Sequence, residues 1–144
     1  MDEPDKERLA SLLRENHRRL RARVLIQAWA SRGVSASRVS GERQEQMLSD
    51  LREWRNIEYV PVVDIVALLH GFVGSASIVA VAEWSPHEAP VLIVPAMALC
   101  RSEDDLHHLY PDGMVVWTAT AVLYIDIDHE IGEVRACRYE RLGR

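Results

Sequence analysis

Two groups of side chains have the types and spacing for metal chemistry. Glu103, Asp104, Asp105, His107 and His108 form one group, and Asp126, Asp128, His129 and Glu130 the other. Carboxylates and imidazoles are the ligands that Zn²⁺, Mn²⁺ or Fe²⁺ take. On a helix, Asp104 shares a face with His107 at i, i+3 and with His108 at i, i+4. On a strand, Asp126 and Asp128 share a face. If the groups converged, Asp104, His107, His108, Asp126, Asp128 and His129 would suit a small metal-dependent hydrolase or nuclease. Neither H-E-x-x-H nor EF-hand spacing occurs. Acidic residues in a first helical turn also oppose the helix macrodipole, and a hairpin tip rich in Asp, His and Glu is ordinarily solvated. The reading therefore assigns no cofactor and no catalytic residue.

A second pattern is cationic. On a helix Arg14, Arg18 and Arg21 form one ridge, flanked by Arg19 and Arg23. Such a ridge can meet phosphates, which makes a nucleic-acid-binding regulator one reading. No aromatic residue interleaves with the arginines to stack bases, and the isoelectric point of about 5.7 is acidic. The ridge is better read as facing solvent or a protein.

The string Leu68-Leu69-His70-Gly71-Phe72-Val73-Gly74-Ser75 resembles the His-Gly loop that helps form the oxyanion hole of α/β-hydrolases. Those enzymes also need a G-x-S-x-G nucleophile elbow. None is present, and the segment reads instead as a helix ending at Gly71. Cys100 and Cys137 form no C-x-x-C pair and read as buried structural thiols.

The elements that would carry these residues follow from hydrophobic periodicity. Residues 5–31 read as one long helix with Leu9, Leu13, Leu20, Val24 and Gln27 on a stripe. Its VLIQAWA segment, residues 24–30, is apolar nearly all round, which predicts burial in a core or an interface. Gly33 marks its stop. Residues 34–41 look like a linker, and a second helix runs from Glu42 to Arg55 with Ser40 as N-cap and Met47, Leu51 and Trp54 on its packing face. Val60 to Leu69 reads either as a buried strand, which Pro61 disfavours at a central position, or as a short third helix with Pro61 near its first turn and Gly71 just past its end; the helix is preferred.

From residue 76 the pattern becomes strand-like. Strands are expected at Ala76–Trp84, at Val91–Val94 (extending toward Leu99), at Met114–Ile127 and at Glu133–Arg141. A helix at Glu103–Leu109 is capped by Ser102, and a turn falls at Asp128–Gly132. The expected fold is a single α+β domain over residues 1–144, with 1–56 helical and 57–144 mainly strands. Two to three N-terminal helices would pack on one face of a roughly four-stranded, mainly antiparallel ββαββ sheet.

The chain has 144 residues, 48% of them hydrophobic and 27% charged, which is globular usage. No apolar run is long enough to span a membrane, and the charged start from Asp2 to Arg8 is no secretory signal, so a cytoplasmic protein is expected. The net charge of −5 is uneven. Residues 1–56 carry 12 basic and 9 acidic residues, a net +3, whereas residues 57–144 carry 5 and 13, a net −8. These features favour a non-enzymatic protein-interaction or regulatory module that neutralises or scaffolds a basic partner and forms a homodimer through its first helix. The expected contact residues are Trp29, Arg14, Arg18, Arg21, Glu83, Glu88, Asp128 and Glu130.

Overall fold

A computed structural model describes residues 2–49, 51 and 59–140. These residues form four α-helices, a 3-10 helix and one seven-stranded sheet. The order is α1 (Glu3–Ala30), β1 (Ser37–Arg38), α2 (Gly41–Ser49), β2 (Val60–Pro61), α3 (Ile65–Val73), β3 (Ile78–Glu83), β4 (Leu92–Pro95), the 3-10 turn Ala96–Cys100, α4 (Glu103–Leu109), β5 (Gly113–Trp117), β6 (Ala121–Asp128) and β7 (Glu133–Glu140). Every strand pair is antiparallel, and the spatial order is β1-β4-β3-β5-β6-β7-β2.

The fold is thus α+β, but the expected four-stranded sheet is corrected to seven strands. Three segments account for the difference. Met114–Ile127 is a hairpin rather than one strand: Trp117 pairs with Val122, and Thr118 Oγ1 accepts the Ala121 backbone N–H at 3.1 Å to close the turn. The expected linker contains β1, which adds to the β4 edge through Ser37–Ile93 and Arg38–Leu92. Pro61 lies in the edge strand β2 opposite Arg135, not in a helix. An outer edge is where a residue without an N–H is tolerated.

Helix α3 is capped at its start by Asp64, whose side chain accepts the Ala67 N–H at 3.0 Å, and at its end by Gly74, where φ is +54°. Gly71 is therefore inside the helix, not past its end. The chain after β4 turns into the 3-10 helix instead of continuing as a strand toward Leu99. Ser102 caps α4 as expected, with its hydroxyl accepting the Asp105 N–H at 3.3 Å. Trp54 and Arg55, and the end of the expected second helix, lie outside the described residues.

The sheet is also buried on both faces, not one. Val79, Val81, Met114, Val116, Leu123, Ile125 and Ala136 face a core closed by α1, α3, the 3-10 turn and α4. Alternate residues Ala80, Ala82, Val115, Trp117, Val122, Tyr124 and Cys137 face a second core with Met47 and Leu48 of α2 and Leu51. This two-residue alternation is what an extended strand imposes on its side chains. Tyr59, Trp84, Tyr124 and Tyr139 form a chain of ring contacts on that second face, with centroids 6.0–6.1 Å apart.

Helix α1 presents two opposite apolar faces, of which one meets the core. Its core-facing residues are Arg18, Ala22, Leu25 and Trp29. At 100° per residue this row lies opposite Leu9, Leu13, Leu20 and Val24. The apolar stripe visible in the sequence is consequently the solvent face: Leu9, Leu12, Leu13, Leu20 and Val24 are 45–62% exposed. Within VLIQAWA only Leu25 and Trp29 are fully buried. No helix among the described residues is long and apolar enough to cross a membrane.

Candidate functional site

Sheet register gathers the acidic residues of the second half at one end of the molecule. Glu83, at the end of β3, pairs with Met114 at the start of β5. Gly113 pairs with Asp126 near the end of β6, and Asp128 pairs with Glu133 at the start of β7. The turns at this end add Glu88, Asp112 and Glu130. Seven carboxylates scattered over 51 sequence positions thus share one rim: Glu83, Glu88, Asp112, Asp126, Asp128, Glu130 and Glu133.

Two arginines counter this charge. Arg21 Nε meets Glu83 Oε1 at 2.6 Å, and Arg135 Nη2 meets Asp126 Oδ2 at 2.9 Å and Asp128 Oδ2 at 3.8 Å. His129 Nε2 lies 3.4 Å from Asp112 Oδ1 and 2.7 Å from the Pro111 carbonyl, which joins the β6–β7 hairpin to the α4–β5 turn. Among the described residues Glu88, Asp112, Glu130 and Glu133 have no lysine or arginine partner.

Three of the rim carboxylates, Glu83, Glu88 and Asp112, border a cleft of about 340 Å³ between α1, the β3–β4 connection and the α4–β5 turn. His17, Arg21, Glu83, Glu88, Tyr110 and Asp112 line it. Its floor is rigid. Tyr110 is buried, its hydroxyl accepts the Trp29 Nε1–H at 3.2 Å, and the two rings are 6.2 Å apart. Burial pushes the Tyr110 phenol far above its ordinary range, so it stays a neutral hydrogen-bonding group.

The loop that presents Glu88 is held by two buried polar side chains. Arg18 Nε and Nη2 both donate to the His87 carbonyl, and Nη1 reaches Glu45 Oε1 at 2.8 Å. Gln44 bonds the backbone of Pro86, Ala89 and Val91. Both residues read as ordinary members of helical stripes in the sequence, and nothing local signals that their partners lie 27 to 69 positions away.

The sequence-based contact residues separate into distinct roles. Arg21, Glu83 and Glu88 meet at the cleft, and Asp128 and Glu130 extend its rim. Arg18 is a buried clamp, Trp29 is a core residue beneath the cleft, and Arg14 is half-buried on the same face of α1. His17 and Tyr110 belong to the cleft but carry no sequence signal; only the turn geometry brings them in.

The two proposed metal groups point to separate neighbours. On α4, His107 Nε2 lies 3.4 Å from Glu103, and His108 Nδ1 lies 2.8 Å from the Asp104 carbonyl. Asp126 and Asp128 face Arg135, and His129 faces Asp112. Among the described residues no three His, Cys, Asp or Glu side chains are grouped to hold a metal ion. Cys100 and Cys137 are free thiols whose burial raises their pKa, which disfavours the nucleophilic thiolate.

No family model matches the chain, and no curated protein is similar to it. The site's own chemistry therefore carries the functional reading.

Proposed function

We propose that this chain is a non-enzymatic protein-interaction module, regulatory or scaffolding in role and cytoplasmic, that takes a basic protein surface at the acidic end of its sheet and associates with itself. The observation that supports the basic partner is the seven-carboxylate rim answered by two arginines. Like charges crowded on a rigid frame repel one another, and a cationic partner relieves that repulsion while the field speeds its approach. The cleft offers a socket for an arginine or lysine side chain between Glu88 and Asp112, beside the Arg21–Glu83 pair and the neutral Tyr110. Its polar groups suit recognition better than bond making, because among the described residues no nucleophile and base are brought into one hydrogen-bonded unit there.

Affinity purification with mass spectrometry tests this reading, comparing the natural chain with a triple variant Glu88→Lys, Asp112→Lys, Glu130→Lys. All three positions are exposed, so the fold should survive. The expected result is one or more basic proteins recovered with the natural chain and lost with the variant. Recovery of the same proteins by both chains overturns it.

A further inference from the structure

We propose that the self-association is an antiparallel pairing of α1 with α1 of a second copy, about a two-fold axis beside Asn16 and His17. This rests on the self-association reading above and assigns it a surface, an orientation and a register.

The first observation is an unsupported extension. Every residue of α1 from Glu3 to Leu13 is exposed, and burial begins in earnest only at Arg18. An unpacked helical segment shorter than about 12 residues is marginal in water, because helices draw most of their stability from packing. This segment nonetheless carries Leu9, Leu12 and Leu13 to solvent.

The second observation is the placement of the stripe. Leu20 and Val24 continue it along the outer side of the half of α1 that is seated on the sheet. The spacing is symmetric about the midpoint between Asn16 and His17: Leu13 and Leu20 stand equally far from it, as do Leu9 and Val24. A two-fold interface must be self-complementary, and a stripe with this symmetry is. In the antiparallel pair, Leu9 meets Val24 of the second copy and Leu13 meets its Leu20. Each projecting half is thereby laid on the domain-anchored half of the other copy. The two domains sit on outer sides, since the core row of Arg18, Ala22, Leu25 and Trp29 faces away from the stripe.

The area is adequate. Leu9 to Val24 spans about 22 Å of helix, and covering the stripe in both copies buries on the order of 1,000 Å², the lower bound for a specific interface. Asn16, whose Oδ1 accepts from Arg19 Nη2 at 2.6 Å, places a polar group at the axis, the kind of residue that sets register in paired helices.

Light scattering at micromolar concentration and cysteine cross-linking together test this. The natural chain is expected at twice the 16.4 kDa chain mass. Leu13→Glu with Leu20→Glu is expected at the single-chain mass, with unchanged circular dichroism from the globular part. In a Cys100→Ser background, Asn16→Cys should cross-link to its own copy. Leu9→Cys should not, because its two copies lie about 22 Å apart along the pair, but it should cross-link when mixed with Val24→Cys. A single-chain mass for the natural protein overturns both the pairing and the self-association. A dimer that survives the double glutamate variant, or one in which Leu9→Cys links to itself, overturns the antiparallel α1 pairing and leaves self-association standing.

Discussion

Gln44 Oε1 accepts the Val91 backbone N–H at 3.2 Å while its Nε2 donates to the Ala89 carbonyl at 2.7 Å and the Pro86 carbonyl at 3.0 Å. One fully buried amide thus satisfies three backbone groups of the β3–β4 connection, where no strand ladder reaches them. Replacing Gln44 by Leu fills similar volume but leaves those groups buried without partners. A loss on the order of 3 kcal/mol or more is expected, since three buried groups are left unsatisfied at about 1–3 kcal/mol each. Urea denaturation measures it, and a loss below about 1 kcal/mol would mean that water replaces the amide and the loop does not depend on it.

Two glycines should respond to alanine with opposite signs. Gly113 adopts φ +110°, and a Cβ there would drive into the Ile125 backbone carbonyl on the neighbouring strand. Gly113→Ala must distort the β5–β6 pairing that brings Asp112 to the rim, and roughly 3 kcal/mol or more should be lost. Gly71 sits inside α3 with open space around its Cα. Gly71→Ala should therefore raise stability by about 0.5–1 kcal/mol through helix propensity. Thermal melts of the two variants give the comparison. A destabilised Gly71→Ala would return Gly71 to a left-handed helix end.

Tyr110 makes stability depend on alkaline pH. Burial raises its phenol pKa, while the bond from Trp29 partly offsets that rise. Tyr124 is raised in the same direction, again mainly by burial. The folded state holds these protons more tightly than the unfolded chain. Their contribution is therefore intact below about pH 10 and falls above it, by up to about 1.4 kcal/mol per pH unit for each group. Tyr110→Phe should be less stable than the natural chain near pH 7, by about 1 kcal/mol for the lost Trp29 hydrogen bond. The gap should narrow or reverse near about pH 11. Chemical denaturation of both proteins at the two pH values decides it, and an unchanged gap would mean that Tyr110 ionises freely in the folded state.

The end of α1 and the start of α4 were legible in the sequence because their caps are local, whereas α3 is bounded by Asp64 and Gly74 rather than by the expected Pro61 and Gly71. Ser102 and Asp105, and Gly33 after α1, announce boundaries within a few residues. The β5–β6 hairpin was not legible, because Thr118-Ala119-Thr120 contains none of the Gly, Pro, Asn or Asp that usually mark a turn. The orientation of α1 was hidden for another reason. Both of its opposite faces are apolar over part of their length, and periodicity alone does not say which meets the core. Arg18 misled because an arginine in a helical ridge ordinarily reads as exposed, whereas here the His87 carbonyl and Glu45 compensate its burial. At the candidate site, Glu83, Glu88, Asp128 and Glu130 could be named from charge alone. Their convergence with Asp112 and His17 depends on antiparallel register, which links residues far apart in the chain.

The acidic rim predicts how a basic partner should arrive. Its carboxylates stand at one end of the sheet, and those in the turns are exposed, so their field extends into solvent and is screened by salt. Electrostatic steering acts on the encounter more than on the final contacts. With an identified partner, stopped-flow association at about 20 mM and about 500 mM salt should show the on-rate falling at least roughly tenfold, while the off-rate changes far less. Glu88→Gln and Asp112→Asn together should lower the on-rate at low salt and flatten its salt dependence. Arg14→Gln, one helical turn before Arg18 and not part of the cleft lining, should leave that dependence unchanged. An on-rate indifferent to salt, or equally affected by Arg14→Gln, would mean that the acidic end does not guide association, and that the partner is selected elsewhere on the molecule.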